Sequence, residues 1–526
     1  MNYADLFRVT LPETALEVAA LIVLIVDLGF LRKVALKVRV IVAALLGVAG
    51  CGAALWAMSF QGRTFFPYGD FDAQVLLDPS GHAAVAEAAI LVLTGLTLLL
   101  LIDSVFTKHV GEYVAVVLMA ATGGLLIAAA QDLLVIFVGL ELLSLGLYIL
   151  TAFAKSSGQS AEAAMKYYLF GGMSAAFLLF GFSYFYGMSG STSLPLIHHA
   201  IALSGPSPLF YVAWIFVVVG LAFKIAAVPF HIWAPDTYEG APAPAAAFIA
   251  SVSKVASFAL LLSLSIQWFW PAGAYRETGF LTDTWVRESF DTWPRVALTL
   301  LFLSALSMIF GNLAALVQVS VRRLLAYSAI AHAGYMLLGV AVYPLYFRQA
   351  DPSWVFNTDY FQTIRGVQST MYYVLTYGLT TIGAFGVVSV VERATGSDRL
   401  DSFLGLHKRN PLLAAVLGVL FLSLAGIPPL VGFWAKFNLF AAVLGVSAGP
   451  VPFALVALAV AMSAVSLYYY LQVLKRAYVM PAVDETPIKA HPVTLGVLLL
   501  IAAAVVLLGC FPALLQGWIE SFYPIL

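Results

Sequence analysis

Charge is what this sequence has least of. Only 10% of its 526 residues are Asp, Glu, Lys or Arg, against 62% hydrophobic, and the formal net charge is −1. A chain so close to neutral offers no polycationic surface for nucleic acid or another polyanion. Cysteine is scarcer still. Cys51 and Cys510 stand in separate apolar stretches, with no CxxC and no Cys/His ligand spacing. That excludes a disulfide framework and gives no ground for expecting a metal or iron–sulfur site. Walker A, strand-to-helix GxGxxG and HExxH patterns are all missing, so no dinucleotide, metal or electron-carrying cofactor is expected on this chain. The first apolar run follows an uncharged-to-acidic start and is long enough to span, so it reads as a retained helix rather than a cleaved leader.

What is present is hydrocarbon in membrane-length pieces. The mean hydropathy is +0.96, and apolar runs of about 20 residues recur along the whole chain, each enough to cross a bilayer core as a helix. They predict an all-α, multi-pass membrane protein of roughly fourteen spans, near residues 11–31, 38–60, 81–102, 111–130, 132–153, 163–187, 208–229, 242–266, 294–316, 323–346, 368–391, 411–446, 452–474 and 492–516. Counted over alternate loops, one side holds Arg32, Lys33, Lys37, Arg39, Lys108, Lys155, Arg322, Arg323, Arg393, Arg399, Lys408, Arg409, Lys475, Arg476 and Lys489. The other holds Arg8, Arg63, Arg276, Arg287, Arg295, Arg348 and Arg365, which is 15 basic residues against 7. Basic loops stay inside, so both termini are expected outside, in the periplasm of a Gram-negative cell.

Two spans are interrupted. The 36 residues of 411–446 would reach about 54 Å at ~1.5 Å each, across a core of about 30 Å. Ala425-Gly426-Ile427-Pro428-Pro429 supplies a break there, and Val228-Pro229-Phe230 supplies another just after Lys224. Proline removes a backbone donor, and freed backbone groups survive in a membrane only where protein or water satisfies them, so paired breaks point to a hydrated interior. They fall on the seventh and twelfth spans, five helices apart. An odd offset reverses orientation, the mark of an inverted repeat: spans four to eight (111–266) against nine to thirteen (294–478), preceded by helices one to three (1–110) and followed by helix fourteen (492–526).

Four lysines lie inside apolar runs: Lys166, Lys224, Lys254 and Lys436. An ammonium near the bilayer centre costs at least ~2.5–3.5 kcal/mol, so such a residue marks a functional site by default. Burial penalises the charged form and a nearby carboxylate favours it, so a moving charge can switch a lysine between carrying and releasing a proton. Glu141, about mid-helix in the fifth span, is the expected counter-charge of Lys224. Lys254 lies halfway along the eighth span, too deep to snorkel. Lys436 follows the second break. Lys166 starts only about a turn inside the sixth span, so snorkelling to the surface stands beside a relay role. His332 could pass protons, and a neutral hydrogen-bonded core histidine would look the same in sequence. Glu87, Asp27 and Asp132 lie near helix ends, where solvation or an interfacial pair is the simpler reading. Asp236 and Glu239 read as caps of the eighth helix. Gly123-Gly124 and Gly171-Gly172 read as close helix packing, and the aromatic residues as interfacial or packing groups.

The run Ala222-Phe223-Lys224-Ile225-Ala226-Ala227-Val228-Pro229-Phe230-His231-Ile232-Trp233-Ala234-Pro235-Asp236-Thr237-Tyr238-Glu239-Gly240-Ala241-Pro242 resembles the signature of antiporter-like subunits of respiratory complex I. Ser251-Val252-Ser253-Lys254, the Asp132 to Leu145 helix and the Leu325 to Tyr335 run resemble the N-type subunit of proton-translocating NADH:quinone oxidoreductase in particular, and the likeness covers nearly the whole chain. Lys436 stands where the M-type carries a glutamate, and no long lateral helix of the L-type follows span fourteen. The resemblance implies proton translocation by Glu141, Lys224, Lys254, Lys436 and Lys166, and His332 stands beside them as a candidate relay on its own chemistry. It places FMN, iron–sulfur clusters and quinone on other subunits. Its implied partners are an M-type subunit and small K/J/A-type subunits in a bacterial inner membrane. A multisubunit cation/proton antiporter or a ferredoxin-linked relative is the alternative the same residues allow. The 267–293 loop is longer than the pattern and has no assigned role.

Overall fold

The computed structural model describes residues 7–61, 76–104, 106–204, 207–269, 283–346, 360–446, 450–482 and 484–523. Of the expected 267–293 loop, residues 270–282 lie outside them, whereas 267–269 end the Ala243–Phe269 helix and 283–293 open the Asp283–Ala315 helix. The described residues are helical apart from short loops and three isolated bridges. Among the described residues, eleven helices are long and apolar enough to cross a membrane, and three shorter apolar helices accompany them: Pro208–Lys224, Pro411–Ala425 and Val431–Gly445. Helix is the natural state of these runs because it satisfies every backbone donor and acceptor within one segment. Polar residues punctuate them. Asp132 accepts from the Leu134 N–H at 2.8 Å and Asn410 from the Leu413 N–H at 3.0 Å, each starting a helix.

The Lys254 helix (Ala243–Phe269) runs through the middle, enclosed over its membrane-length part by the His82–Leu101, Val110–Ala129, Val321–Tyr346 and Tyr360–Thr395 helices. Glycines let the neighbours close in. A Cβ on Gly123 would meet the Leu143 backbone nitrogen at 2.5 Å, and one on Gly171 would collide with the Tyr148 ring. Gly172 faces open space, so only one member of that second pair serves packing.

Both predicted breaks are present. The first ends a helix at Lys224 and resumes it at Trp233–Gly240; the second separates Pro411–Ala425 from Val431–Val446. Ala226 and Gly426 each take a left-handed conformation, with φ of 58° and 88°. The freed groups find partners, as an apolar environment requires. The Val228 N–H donates to Ser307 Oγ at 2.9 Å and the Trp233 indole to the Phe223 carbonyl at 3.0 Å. In the second break the Gly432 N–H donates to Ser423 Oγ at 3.2 Å. Much of the basic side of the sequence gathers at one end of the bundle. There Arg39 pairs with Asp27 at 2.7 Å, Arg322 with Glu392 at 3.1 Å, and Arg393 with Asp103. The basic face below means this end.

Candidate functional site

Three of the four membrane lysines are buried in the interior, and none of these three has a carboxylate in salt-bridge contact among the described residues. Lys224, Lys254 and Lys436 are 7, 2 and 6% exposed. Lys224 Nζ donates to Ser144 Oγ on the neighbouring Leu133–Thr151 helix. Lys254 Nζ donates to the Ala329 carbonyl and sits 5.4 Å from the centre of the Tyr377 ring. Lys436 Nζ donates to the carbonyls of Leu424 and Ala425, at 3.2 and 3.0 Å, and to Ser463 Oγ at 2.8 Å. Those carbonyls are the orphaned acceptors at the end of the broken helix, so Lys436 caps the break from beyond it. Each ammonium therefore meets neutral hydroxyls, carbonyls or ring faces. Such groups can hold the charge but do not neutralise it, and proton occupancy is left sensitive to any charge that approaches.

His332 lies between the second and third lysines, 2% exposed. Nδ1 is 2.9 Å from the Tyr373 hydroxyl and Nε2 is 3.3 Å from that of Tyr470, which also bonds Ser328. The Tyr377 ring that lies beside Lys254 is 4.8 Å from the imidazole, and the Tyr335 ring that lies beside Lys436 is 5.8 Å from it. Tyr335 in turn accepts from Asn312 at 3.1 Å, and Asn312 accepts from Tyr469 at 3.1 Å. Hydroxyls and an imidazole thus fill the space between two lysines. Sequence reading assigned the aromatic residues to interfaces or packing and missed these roles. Tyr335 and Tyr377 carried the available signal, since both fall well inside a span rather than at its end. Ser144 and Ser463 gave none.

Glu141 takes a different position from the lysines. It is half-buried and not in salt-bridge contact with Lys224; Ser144, one turn on, takes the ammonium instead. Leu134, Val138, Leu145 and Ile149 are all exposed, and at spacings of three and four residues they form one stripe that includes Glu141. The carboxylate therefore belongs to the outward side of its helix. Lys166 is also apart from the buried row. It is 40% exposed and pairs with Glu162 and Asp236, both at 2.7 Å, on the basic face.

Four other carboxylates depart from their sequence reading. Asp236 and Glu239 do not cap the Lys254 helix: Arg323 binds them at 2.7 and 2.9 Å. Burial alone would raise the Asp236 pKa, but hydrogen bonds from Lys166 and Arg323 hold the carboxyl below its ordinary value. Glu87 is away from the surface and unpaired among the described residues. It is 0% exposed and both its carboxyl oxygens lack a partner, because its helix start is covered by the Lys254 helix, where Ser263 bonds His82 at 2.7 Å. Asp27 keeps to the simple reading, paired with Arg39, whereas Asp132 is buried and caps its helix while accepting from the Thr192 hydroxyl at 2.6 Å.

At the end opposite the basic face, a cavity of about 280 Å³ opens among Arg365, Gln368, Tyr372, Asn438, Gln516 and Glu520. Asn438 is two residues from Lys436, and Tyr372 adjoins Tyr373 in the chain. The Tyr372 hydroxyl is buried and has no hydrogen-bond partner among the described residues.

Residues 130–275, 285–348 and 353–466 match the family described as NADH:quinone oxidoreductase/Mrp antiporter, TM. A relative from Acidobacterium capsulatum, NADH-quinone oxidoreductase subunit N 2, is 45% identical over 99% of each chain. Subunit N 1 of Roseiflexus castenholzii is 41% identical over 81% of this chain and 76% of that one. A chain of respiratory complex I from Thermus thermophilus superposes with a TM-score of 0.72 at 32% identity, covering 96% of this chain and 98% of that one. A chain of the Mrp complex from Dietzia shares the fold, with a TM-score of 0.72 at 22% identity over 97% and 96%. The chain belongs to the NADH:quinone oxidoreductase/Mrp antiporter family of membrane subunits.

Proposed function

We propose that this chain is the N-type membrane-arm subunit of a bacterial NADH:quinone oxidoreductase. It moves protons while electrons pass from NADH to quinone through FMN and iron–sulfur centres on other subunits. The observation that carries this is the buried row Lys224, Lys254, His332 and Lys436, with ammonium groups on neutral acceptors and hydroxyls between the last three.

Quinone reduction outside this chain changes a charge at the subunit boundary, where Glu141 lies on the uncovered stripe. Drawing Glu141 towards or away from Lys224 alters the lysine's hold on its proton, tenfold for each ~1.36 kcal/mol of altered interaction. The proton passes to Lys254, through His332 and its tyrosines to Lys436, and leaves by the cavity beside Asn438. Such coupled sites titrate as a set rather than one by one. Lys166 acts on the entry side, through its pairs on the basic face. That face is the cytoplasmic one by the excess of lysine and arginine, which leaves both termini in the periplasm. K/J/A-type small subunits and an M-type subunit are the partners, and the stripe around Glu141 is where one of them covers the chain.

The two halves are inverted repeats of five helices in this reading. Matching local geometry supports it. Asp132 bridges to Ser193 and Ser320 to Arg399, in each case three residues beyond a left-handed glycine, Gly190 or Gly396.

The test replaces Lys224 with Ala and measures NADH-driven, quinone-dependent acidification of inverted vesicles beside the amount of assembled complex. Lost pumping with normal assembly supports the proposal. Unchanged pumping removes Lys224 from it, and failed assembly returns the buried charges to a purely structural role. Cation-dependent ΔpH without NADH would instead identify a cation/proton antiporter.

A further inference from the structure

Arg322 and Arg323 open the Val321–Tyr346 helix at the basic face, and both reach to the segment that follows the first break. Arg322, 4% exposed, donates to the carbonyls of Tyr238 and Ala241 and to Glu392. Arg323 donates to Asp236 and Glu239. The Trp233–Gly240 half-helix thus has its terminal carbonyls and both its carboxylates held by two consecutive arginines of another helix. These are charge-assisted contacts, the strong class of hydrogen bond, and Arg322 makes them almost without solvent.

The same helix touches the proton row further along. Ala329, seven residues from Arg322 and so about 10 Å along the axis, supplies the carbonyl that receives Lys254. His332 and Tyr335 follow on the next turns, Tyr335 with its ring 5.4 Å from Lys436 Nζ. Its backbone is locked against the Asp283–Ala315 helix: a Cβ on Gly334 would meet the Met308 nitrogen at 2.8 Å, and one on Gly311 the Ala331 nitrogen at 2.6 Å. Packed helices transmit displacement as bodies rather than deforming.

We propose that Arg322 and Arg323 are positioning residues: a joint that ties the half-helix beyond the Lys224 break to the His332 helix, so that movement at the break shifts the Ala329 carbonyl against Lys254. This rests on the proton-translocating reading above. Lys166 shares Asp236 with Arg323, which links the sixth span to the same joint.

The test uses the intact complex and reads the ratio of protons moved to NADH oxidised, a quantity that a lower yield of protein does not change. Arg323→Gln and Asp236→Asn should lower that ratio towards the value of Lys224→Ala while quinone reduction continues. Arg323→Lys, which keeps a cation in reach of Asp236, should restore it. A normal ratio in Arg323→Gln, where Lys224→Ala abolishes pumping, overturns the joint and leaves the proton reading standing. An unaffected Lys224→Ala would instead remove Lys224 from the proton reading on which this proposal rests. Failure of both Arg323→Gln and Asp236→Asn to accumulate would show contacts that only support the fold, and would also overturn the proposal.

Discussion

The two helix breaks are built alike and loaded differently. Set in register by their left-handed residues, Ala226 and Gly426, they are 200 positions apart, so Lys224 corresponds to Leu424 and Asp236 to Lys436. In the first break the lysine stands before the gap and reaches out to a neighbouring helix. In the second it stands beyond the gap and folds back onto the Leu424 and Ala425 carbonyls. One cation is held by a single hydroxyl on a separate helix, the other by three acceptors, two of them in its own broken helix. The first arrangement can respond to a neighbour's movement; the second binds the two halves of its own break together.

That contrast can be broken most severely at Gly432, where a Cβ would fall 1.8 Å from the Ser423 carbonyl oxygen. Backbone has no rotamer to yield, so Gly432→Ala should prevent the second break from closing and remove the folded subunit from membranes, read by immunoblot. At the left-handed positions the two breaks should answer in opposite directions. Gly426→Ala should cost about 1–2 kcal/mol and crowd Lys436, whose Cδ lies 3.0 Å from the added carbon, whereas Ala226→Gly should be neutral or stabilising. Melting temperatures of the two variants measure this. Ser144→Ala should slow proton translocation more than Ser463→Ala. Each removes a hydrogen bond from a charged group, worth about 1.5–3 kcal/mol, but Lys436 keeps two carbonyls and Lys224 keeps no acceptor among the described residues. Parallel pumping assays would refute the contrast if the two losses were equal.

The smallest effect concerns pH. Asp236 is held below its ordinary value of 3.8 by Lys166 and Arg323, so its pairs contribute fully above pH 3.8 and fade only as the pH falls through the lowered folded value. The melting-temperature gap between wild type and Asp236→Asn should therefore stay constant from neutrality down to 3.8, and a gap that closed earlier would contradict the pairing.

What was legible in the sequence follows from which interactions are local. Span positions and both breaks could be read because hydrocarbon runs and prolines act on their own segment. The buried lysines stood out because charge in an apolar run has few innocent explanations. Partners could not be read. Arg322 and Arg323 looked like ordinary inside-facing basic residues, and Asp236 and Glu239 like caps, because their meeting joins positions 84 to 87 residues apart. Glu87 looked solvated because sequence does not show which neighbour covers a helix start. The tyrosines around His332 gave only their mid-span positions, because sequence does not show which hydroxyls an imidazole meets.

Glu141 makes the chain's own solubility in lipid conditional. A carboxylate mid-span among Leu134, Val138, Leu145 and Ile149 is poorly accommodated by acyl chains, at ~2.5–3.5 kcal/mol on insertion scales. A neighbouring subunit that offers a polar contact offsets that penalty. In the proposed mechanism the residue that senses the neighbour is therefore also the one that makes a solitary copy unfavourable, so the same side chain would enforce companionship before taking part in transport.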